Sequence, residues 1–301
     1  MMNRAKSTLE QWRILQAVVD HGGYAQAAAA LNKSQSSLNH AVAKLQHQLG
    51  VELLTIRGRK AYLTDQGEVL LRRSRYITQS VAELEQLAAN LERGWEPSLT
   101  IAREIIYPMD KLIAAINAFL PNCRGTRISV IDSVLTGTHE LIESQKVDLA
   151  LCGGNPPKGH LAQPLCTVDL VAVCHPSHEL ALNPRELDDK SLARHLQIVI
   201  RDTGTKTNQD MGWLKAEQRW TVNNFHEAKA ILATGSGFCW LPQELVSSEL
   251  DAGKLTRLYI TGSEYRRIPI NLIVPNRDEQ GPASKHLEQL ILAEHGISHA
   301  K

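Results

Sequence analysis

From Glu68 to about Arg93 the chain follows one unbroken helical pattern, and no other stretch constrains its fold as strongly. Ile77, Leu84 and Leu91 recur every seven residues, Leu70 precedes them on the same repeat, and Val81 and Ala88 form a second set. A seam of about three heptads fits a helix that lies against a partner helix. Dimerisation through Ile77, Val81, Leu84, Ala88 and Leu91 is the expected use; packing on its own chain is the alternative. Gly94 to Pro97 ends the pattern, so the helix separates a short N-terminal region from a long C-terminal one.

The flanking regions differ in charge. Residues 1–60 hold eight Lys or Arg against three acids, whereas the remainder holds 25 against 29. A basic small region on an acidic larger one suits a polyanionic partner at one end of the molecule. In the basic region Leu9, Trp12, Leu15 and Val18 predict a first helix ending at Gly22-Gly23, and Ala25 to Leu31 predict a second. Ser34 is placed to cap a third helix, Gln35 to Leu49, in which Leu38, Val42, Leu45 and Leu49 fall on one stripe. The opposite face is polar and nearly free of acids. After it, IRGRKAYLT reads as a basic turn between two extended pieces, a wing.

Reading base edges in a major groove needs amide and hydroxyl groups on an outward helix face, with cations close by for phosphates. Ser34, Gln35, Ser36, Ser37, Asn39 and His40 offer the former, and Lys33, Lys44, Arg57, Arg59 and Lys60 the latter. The plain alternative is a solvated helix face. Charge asymmetry, wing and heptad seam together favour double-stranded DNA as the partner.

Beyond Ser98 the character changes. LTIA, RISVI, VDLAL, DLVAVC, QIVI, TVNNF and INLIV are short apolar segments that alternate with helical patterns at Met109 to Phe119, Leu135 to Ser144, His226 to Ala233, Gln243 to Leu250 and Ser284 to Leu292. That alternation predicts an α/β region with mainly parallel sheets buried on both faces, and its length suits two lobes. A crossing near Gln163 to Val168 is the expected hinge, with a ligand cleft between the lobes.

Other functions find little support. No apolar run approaches the roughly 18 residues that span a bilayer and none opens the chain, so a cytoplasmic protein without membrane contact is expected. The five cysteines read as reduced, mostly buried thiols. There is no HExxH or paired CxxC, so neither a metal nor a cofactor is expected, and Gly235 to Gly237 lacks the phosphate-loop spacing and reads as a structural turn. An enzyme is not expected, since no nucleophile triad or paired-carboxylate spacing stands out. A stand-alone solute-binding domain would not carry the basic region.

The same residues resemble a known family. Gly22-Gly23-Tyr24-Ala25-Gln26-Ala27-Ala28 with Leu31, then Ser34-Gln35-Ser36-Ser37-Leu38-Asn39, Leu49-Gly50 and Leu63-Thr64-Asp65-Gln66-Gly67, resemble the helix-turn-helix of LysR-type transcriptional regulators. More weakly, Leu99-Thr100-Ile101, Val147-Asp148-Leu149-Ala150 and Leu232 to Phe238 with Leu241-Pro242 are similar to the family's second half, so the likeness runs from about Leu9 to Leu292. Departures include Ser36 in place of proline, Asn39 in place of serine and Gln46 in place of glutamate. The last removes a possible ion pair.

The resemblance implies an all-α N-terminal part joined to an α/β region. It gives a winged helix-turn-helix domain over residues 1–67, a linker and dimerisation helix over 68–94, and a two-lobed, periplasmic-binding-protein-like effector domain over 95–301. Lobe I would hold about 98–163 and 269–301, and lobe II about 168–265. It also implies a homodimer assembling to a homotetramer, contact with RNA polymerase if the protein activates, and a small metabolite effector. Family position puts the effector at strand ends facing the hinge: Thr100, Ala102, Arg103 and Glu104, then Asp132 and Ser133, then Arg201, Asp202 and Thr203. The two arginines favour an anion, whereas Glu104 and Asp132 leave a zwitterion or amine open. Each of these charges could equally serve in a surface or interlobe ion pair.

Overall fold

The computed structural model describes residues 5–57, 60–182, 187–205, 214–261 and 266–297, without the side chains of residues 56, 57 and 60. It divides into two compact units, Met1–Glu92 and Arg93–Lys301.

The first unit contains helices α1 (Leu9–Asp20), α2 (Tyr24–Ala30) and α3 (Gln35–Leu49), strands β1 (Leu54–Arg57) and β2 (Lys60–Leu63), and helix α4 (Asp65–Glu92). Helix α3 has the bounds its periodicity predicts. The Ser34 side chain accepts from the Ser37 N–H, and Gly50 closes the helix in the left-handed conformation at φ 69°. Its stripe residues Leu38, Val42 and Leu45 are fully buried against Ile14, Leu15, Val18 and Ala27. Burial of each such side chain contributes about 1.5–3 kcal/mol, which fixes how the helix rolls. The wing is an antiparallel hairpin pairing Leu54 with Leu63 and Thr55 with Tyr62.

Helix α4 starts three residues before the Glu68 that periodicity suggests. Thr64 is the reason: its hydroxyl accepts from the Gly67 N–H at 2.9 Å and its carbonyl accepts from Glu68 N. The Gln16 amide on α1 donates to the hydroxyls of Ser74 and Thr78, which ties α1 along the first half of α4. Farther along α4, Ile77, Leu84 and Leu91 are exposed at 56%, 64% and 44%. The apolar seam is therefore unburied within a single chain.

The second unit contains β3 (Ser98–Glu104), α5 (Met109–Phe119), β4 (Arg127–Ser133), α6 (Thr136–Glu143), β5 (Leu149–Gly153), β6 (Ala162–Cys174), α7 (Glu179–Leu182), α8 (Asp189–Ala193), β7 (Gln197–Ile200), β8 (Arg219–Val222), α9 (Phe225–Ala233), β9 (Phe238–Pro242), α10 (Gln243–Asp251), β10 (Thr256–Arg257), β11 (Arg266–Ile273) and α11 (Pro282–Ala293). Sheet order is β4-β3-β5-β11-β6-β9-β7-β8, with β10 also on β6. In lobe I, Leu99, Ile101, Leu149 and Leu151 point to one side, under α5 and α11, whereas Ala102, Ala150 and Cys152 point to the other, beside Ile142 of α6. The period of two along each strand generates the two layers. Lobe II is layered likewise, with Val171, Val173, Ile198 and Cys239 against α9 and α10, and Ala172, Cys174 and Phe238 against α7 and α8.

Three expectations need correction. Strands β3, β4 and β5, and β7, β8 and β9, are paired in parallel, but β11 runs antiparallel to both β5 and β6, and β6 antiparallel to β9. The mainly parallel sheets thus meet along an antiparallel pair that crosses between lobes, with a register shift at Ile270/Asn271. The RISVI strand is a sheet edge with Val130 and Ile131 exposed at 38% and 40%, so it is not covered on both faces. TVNNF stops being a strand at Val222, because the Asn224 side chain accepts from Glu227 N at 2.9 Å and starts α9. Among the described residues no helix is long and apolar enough to cross a membrane.

Candidate functional site

On α3, Gln35, Ser36, Ser37, Asn39, His40, Ala43, Lys44 and His47 are all exposed on the side away from the leucine stripe. The hydroxyls are partly committed. Ser34 and Ser36 share a hydrogen bond at 3.1 Å, and the Ser37 hydroxyl donates to the Ser34 carbonyl at 2.9 Å. Lys33 forms an ion pair with Glu10 of α1. Among the described residues, the groups that project without such ties are the Gln35 and Asn39 amides, the His40 imidazole and the Lys44 ammonium. Of the wing cations, Arg59 lies outside the described residues, as do the side chains of Arg57 and Lys60.

Two residues position the start of the wing, Gln46 on α3 and Gly67 on α4. The Gln46 side-chain oxygen accepts from Leu53 N at 2.7 Å and from Leu54 N at 3.0 Å, so the amide that replaces the expected glutamate positions the start of β1. Gly67 approaches so closely that an added Cβ would sit 2.1 Å from the Leu53 carbonyl oxygen.

Between the two lobes of the second unit lies a cavity of about 270 Å³. Its walls are mostly apolar, with Ile105, Ile106, Leu135, Ile200, Phe225 and Trp240 prominent, and its polar margin includes Glu104, Gln197 and Arg266. Glu104 is 3% exposed, and its carboxylate accepts from Leu135 N at 3.2 Å and from the Thr138 hydroxyl at 2.7 Å. Burial, and to a smaller degree the charge of Asp202, lifts its pKa to about 7, against the lowering effects of those hydrogen bonds and of Arg103. Arg266 stacks on Trp240 with its guanidinium carbon 4.2 Å from the ring centroid.

The other expected effector residues are placed differently. Arg103 faces Asp132 across the β3–β4 pair and binds it through two nitrogens at 2.7 and 2.8 Å, while a third donates to the Tyr107 carbonyl at 2.9 Å. The Asp202 carboxylate accepts from the Thr136 hydroxyl at 2.7 Å and from Gly137 N at 3.3 Å, and Val134 N donates to the Thr203 hydroxyl at 2.9 Å. This loop of lobe II therefore seals against the start of α6 in lobe I. The Ser133 hydroxyl bonds Thr138 at 2.8 Å, Ala102 is in the core, Thr100 takes the Asp148 carboxylate on its N–H, and Arg201 is exposed. Only Glu104 of the nine reaches the wall of this cavity, while Arg103 and Asp132 border a second hollow lined also by Tyr107 and His226. Sequence reasoning missed Trp240, Arg266 and Gln197. A polar residue heading each apolar strand, as in QIVI and RRIPINLI, was the available signal.

Residues 9–68 match the bacterial regulatory helix-turn-helix protein, lysR family, and residues 92–296 match the LysR substrate binding domain. The chain belongs to the LysR family of transcriptional regulators. Among its relatives, the uncharacterized HTH-type transcriptional regulator YeeY of Escherichia coli K12 is 30% identical over 256 residues, covering 83% of this chain and 82% of YeeY. The RuBisCO operon transcriptional regulator of Allochromatium vinosum is 26% identical and covers 98% of both chains. Two solved structures share the fold. LysG of Corynebacterium glutamicum with bound effector Arg is 18% identical at a TM-score of 0.52, covering 97% of this chain and 100% of that one. CrgA of Neisseria meningitidis is 22% identical at 0.51, with the same coverage. As a LysR-family regulator this chain binds DNA through its N-terminal unit, and its second unit has the family's ligand-binding architecture.

Proposed function

We propose that this LysR-family regulator reads its operator with the Gln35, Asn39 and His40 face of α3, clamps phosphates with Lys44 and the wing cations, and pairs through α4 into a homodimer that assembles to a tetramer. A small metabolite held in the interlobe cavity shifts lobe closure, and so the spacing or bend imposed on two major-groove half-sites. If the regulator activates, RNA polymerase is its further partner.

The observation that carries this reading is the exposed amide and imidazole face of α3 opposite the buried Leu38, Val42 and Leu45. Asn39 can make a bidentate contact with adenine. N39A is expected to lower affinity for the upstream operator by about 1–3 kcal/mol while leaving affinity for random DNA unchanged. K44A should weaken both and reduce the slope of log affinity against log salt by about one. Electrophoretic shift titrations at several salt concentrations measure both, and equal loss on all DNA for N39A would remove Asn39 from base reading.

A further inference from the structure

The cavity between the lobes has a chemical polarity of its own, and the ligand class assigned to it rests on the proposal that it is the effector site. Anions find little to bind at its lobe I end. Arg103 is neutralised by Asp132 and spends its third nitrogen on the Tyr107 carbonyl. The start of α6, where free N–H groups would attract an anion, already holds the chain's own Asp202 carboxylate. No ligand group fits between those segments, since a Cβ on Gly137 would lie 2.0 Å from the Thr203 hydroxyl oxygen and one on Gly204 would lie 1.9 Å from that of Thr136.

Among the described residues, Glu104 is the charged group this end of the cavity presents. It receives three hydrogen bonds from two donors, yet no Lys, Arg or His forms an ion pair with it among the described residues. A buried carboxylate without a counter-ion is costly, and a cation that brings one relieves that cost. Among the described residues, the positive group bordering the cavity is Arg266, which is already stacked on Trp240 and belongs to the lobe II strand ends.

We infer that the cavity selects a small molecule with an apolar body and a protonated amine or amidine head, the head paired with Glu104 and the body set among Ile106, Leu135, Phe225 and Trp240. Carboxylates of the same size are rejected at the Glu104 end. Binding is linked to protons. The groups facing Glu104 are Arg103 on its own strand, Thr138 and the Leu135 N–H at α6, Cys152 on β5, and Asp202 from lobe II. Burial, and then Glu104 itself, pushes the Cys152 thiol up to about 12, so it stays neutral. Glu104 changes charge near pH 7, and a bound ammonium must expel its proton below that point.

Three probes with one body and different heads test this on the full-length protein: phenethylamine, hydrocinnamate and phenethyl alcohol, titrated calorimetrically. The amine is expected to bind at least about tenfold more tightly than the acid or the alcohol, which corresponds to about 1.4 kcal/mol. Its affinity should rise by several-fold to about tenfold between roughly pH 6 and 7 and level off near pH 8, with protons released on binding at the lower pH. E104Q should abolish both the preference for the amine and the pH dependence of its binding. The wild-type pH series stands even where E104Q folds poorly. Hydrocinnamate or the alcohol binding as tightly as the amine, an amine affinity that ignores pH, or no binding by any of the three overturns the proposal. The regulatory reading fails separately: amine binding that leaves operator affinity and footprint unchanged removes the coupling to DNA but keeps the ligand class.

Discussion

Gly67 shows how one missing side chain fixes a junction. The Leu53 carbonyl lies where its Cβ would be, at 2.1 Å, and the contacting atom is backbone that cannot swing aside. G67A is expected to lower unfolding stability by about 1–3 kcal/mol, measured by urea denaturation, with the wing displaced from α4. Substitution without loss would mean that the Leu53 segment moves freely. The Leu-Thr-x-x-Gly pattern marked this glycine, but not the contact that requires it. Gln46 teaches the converse. Read as a lost ion pair, it instead gives its amide oxygen to two backbone N–H groups. The outward positions of Asn39 and His40 were legible because 100° per residue fixes direction from spacing alone. Ser34 as the helix cap was legible too, but where the Ser36 and Ser37 hydroxyls bond was not, since spacing does not encode that local geometry.

Elements with long apolar periods were legible almost to the residue, as α3 and α5 are. Helices α7 and α8, of four and five residues, are too short to display a period. Strand β6 runs for 13 residues, yet only its DLVAVC half reads as strand, because Gln163 and Pro164 interrupt the apolar pattern in the other. Strand direction was not legible either, since alternation specifies which face is buried and says nothing about polarity. Helix α4 supports a sharper expectation. Leu84 is 64% exposed in one chain, so L84E leaves the fold of the unit intact and acts on self-association alone. Analytical ultracentrifugation should show a weakening of the dimer by about tenfold or more, with helical content unchanged. An unchanged sedimentation coefficient across concentration would place the pairing surface elsewhere.

For the whole molecule, Glu104 sets a pH dependence. Its folded pKa of about 7 lies above the ordinary 4.5, so the folded state holds the proton more tightly than the unfolded chain does. That contribution is complete below pH 4.5, fades as pH rises toward about 7 and is absent above it. Stability of the second unit is expected to fall through this window by up to about 3 kcal/mol, and E104Q should flatten the fall. Thermal melts at stepped pH measure it, and parallel curves for the two proteins would show that Glu104 is not the group responsible. The cavity itself was the least legible part. Its wall is assembled largely from β3, β4–α6, β7, β9 and β11, segments spread over more than a hundred residues of chain, and no local pattern announces such a convergence. The order of assembly also follows from this threading. Strand β11 lies between β5 and β6 in the sheet although it is made after all the other strands of that sheet. During synthesis lobe II can therefore close on itself while lobe I waits with a gap in its middle. A ribosome stalled before Arg266 would hold β5 and β6 with open edges, an invitation to wrong pairing that ends when β11 emerges and fills the place between them.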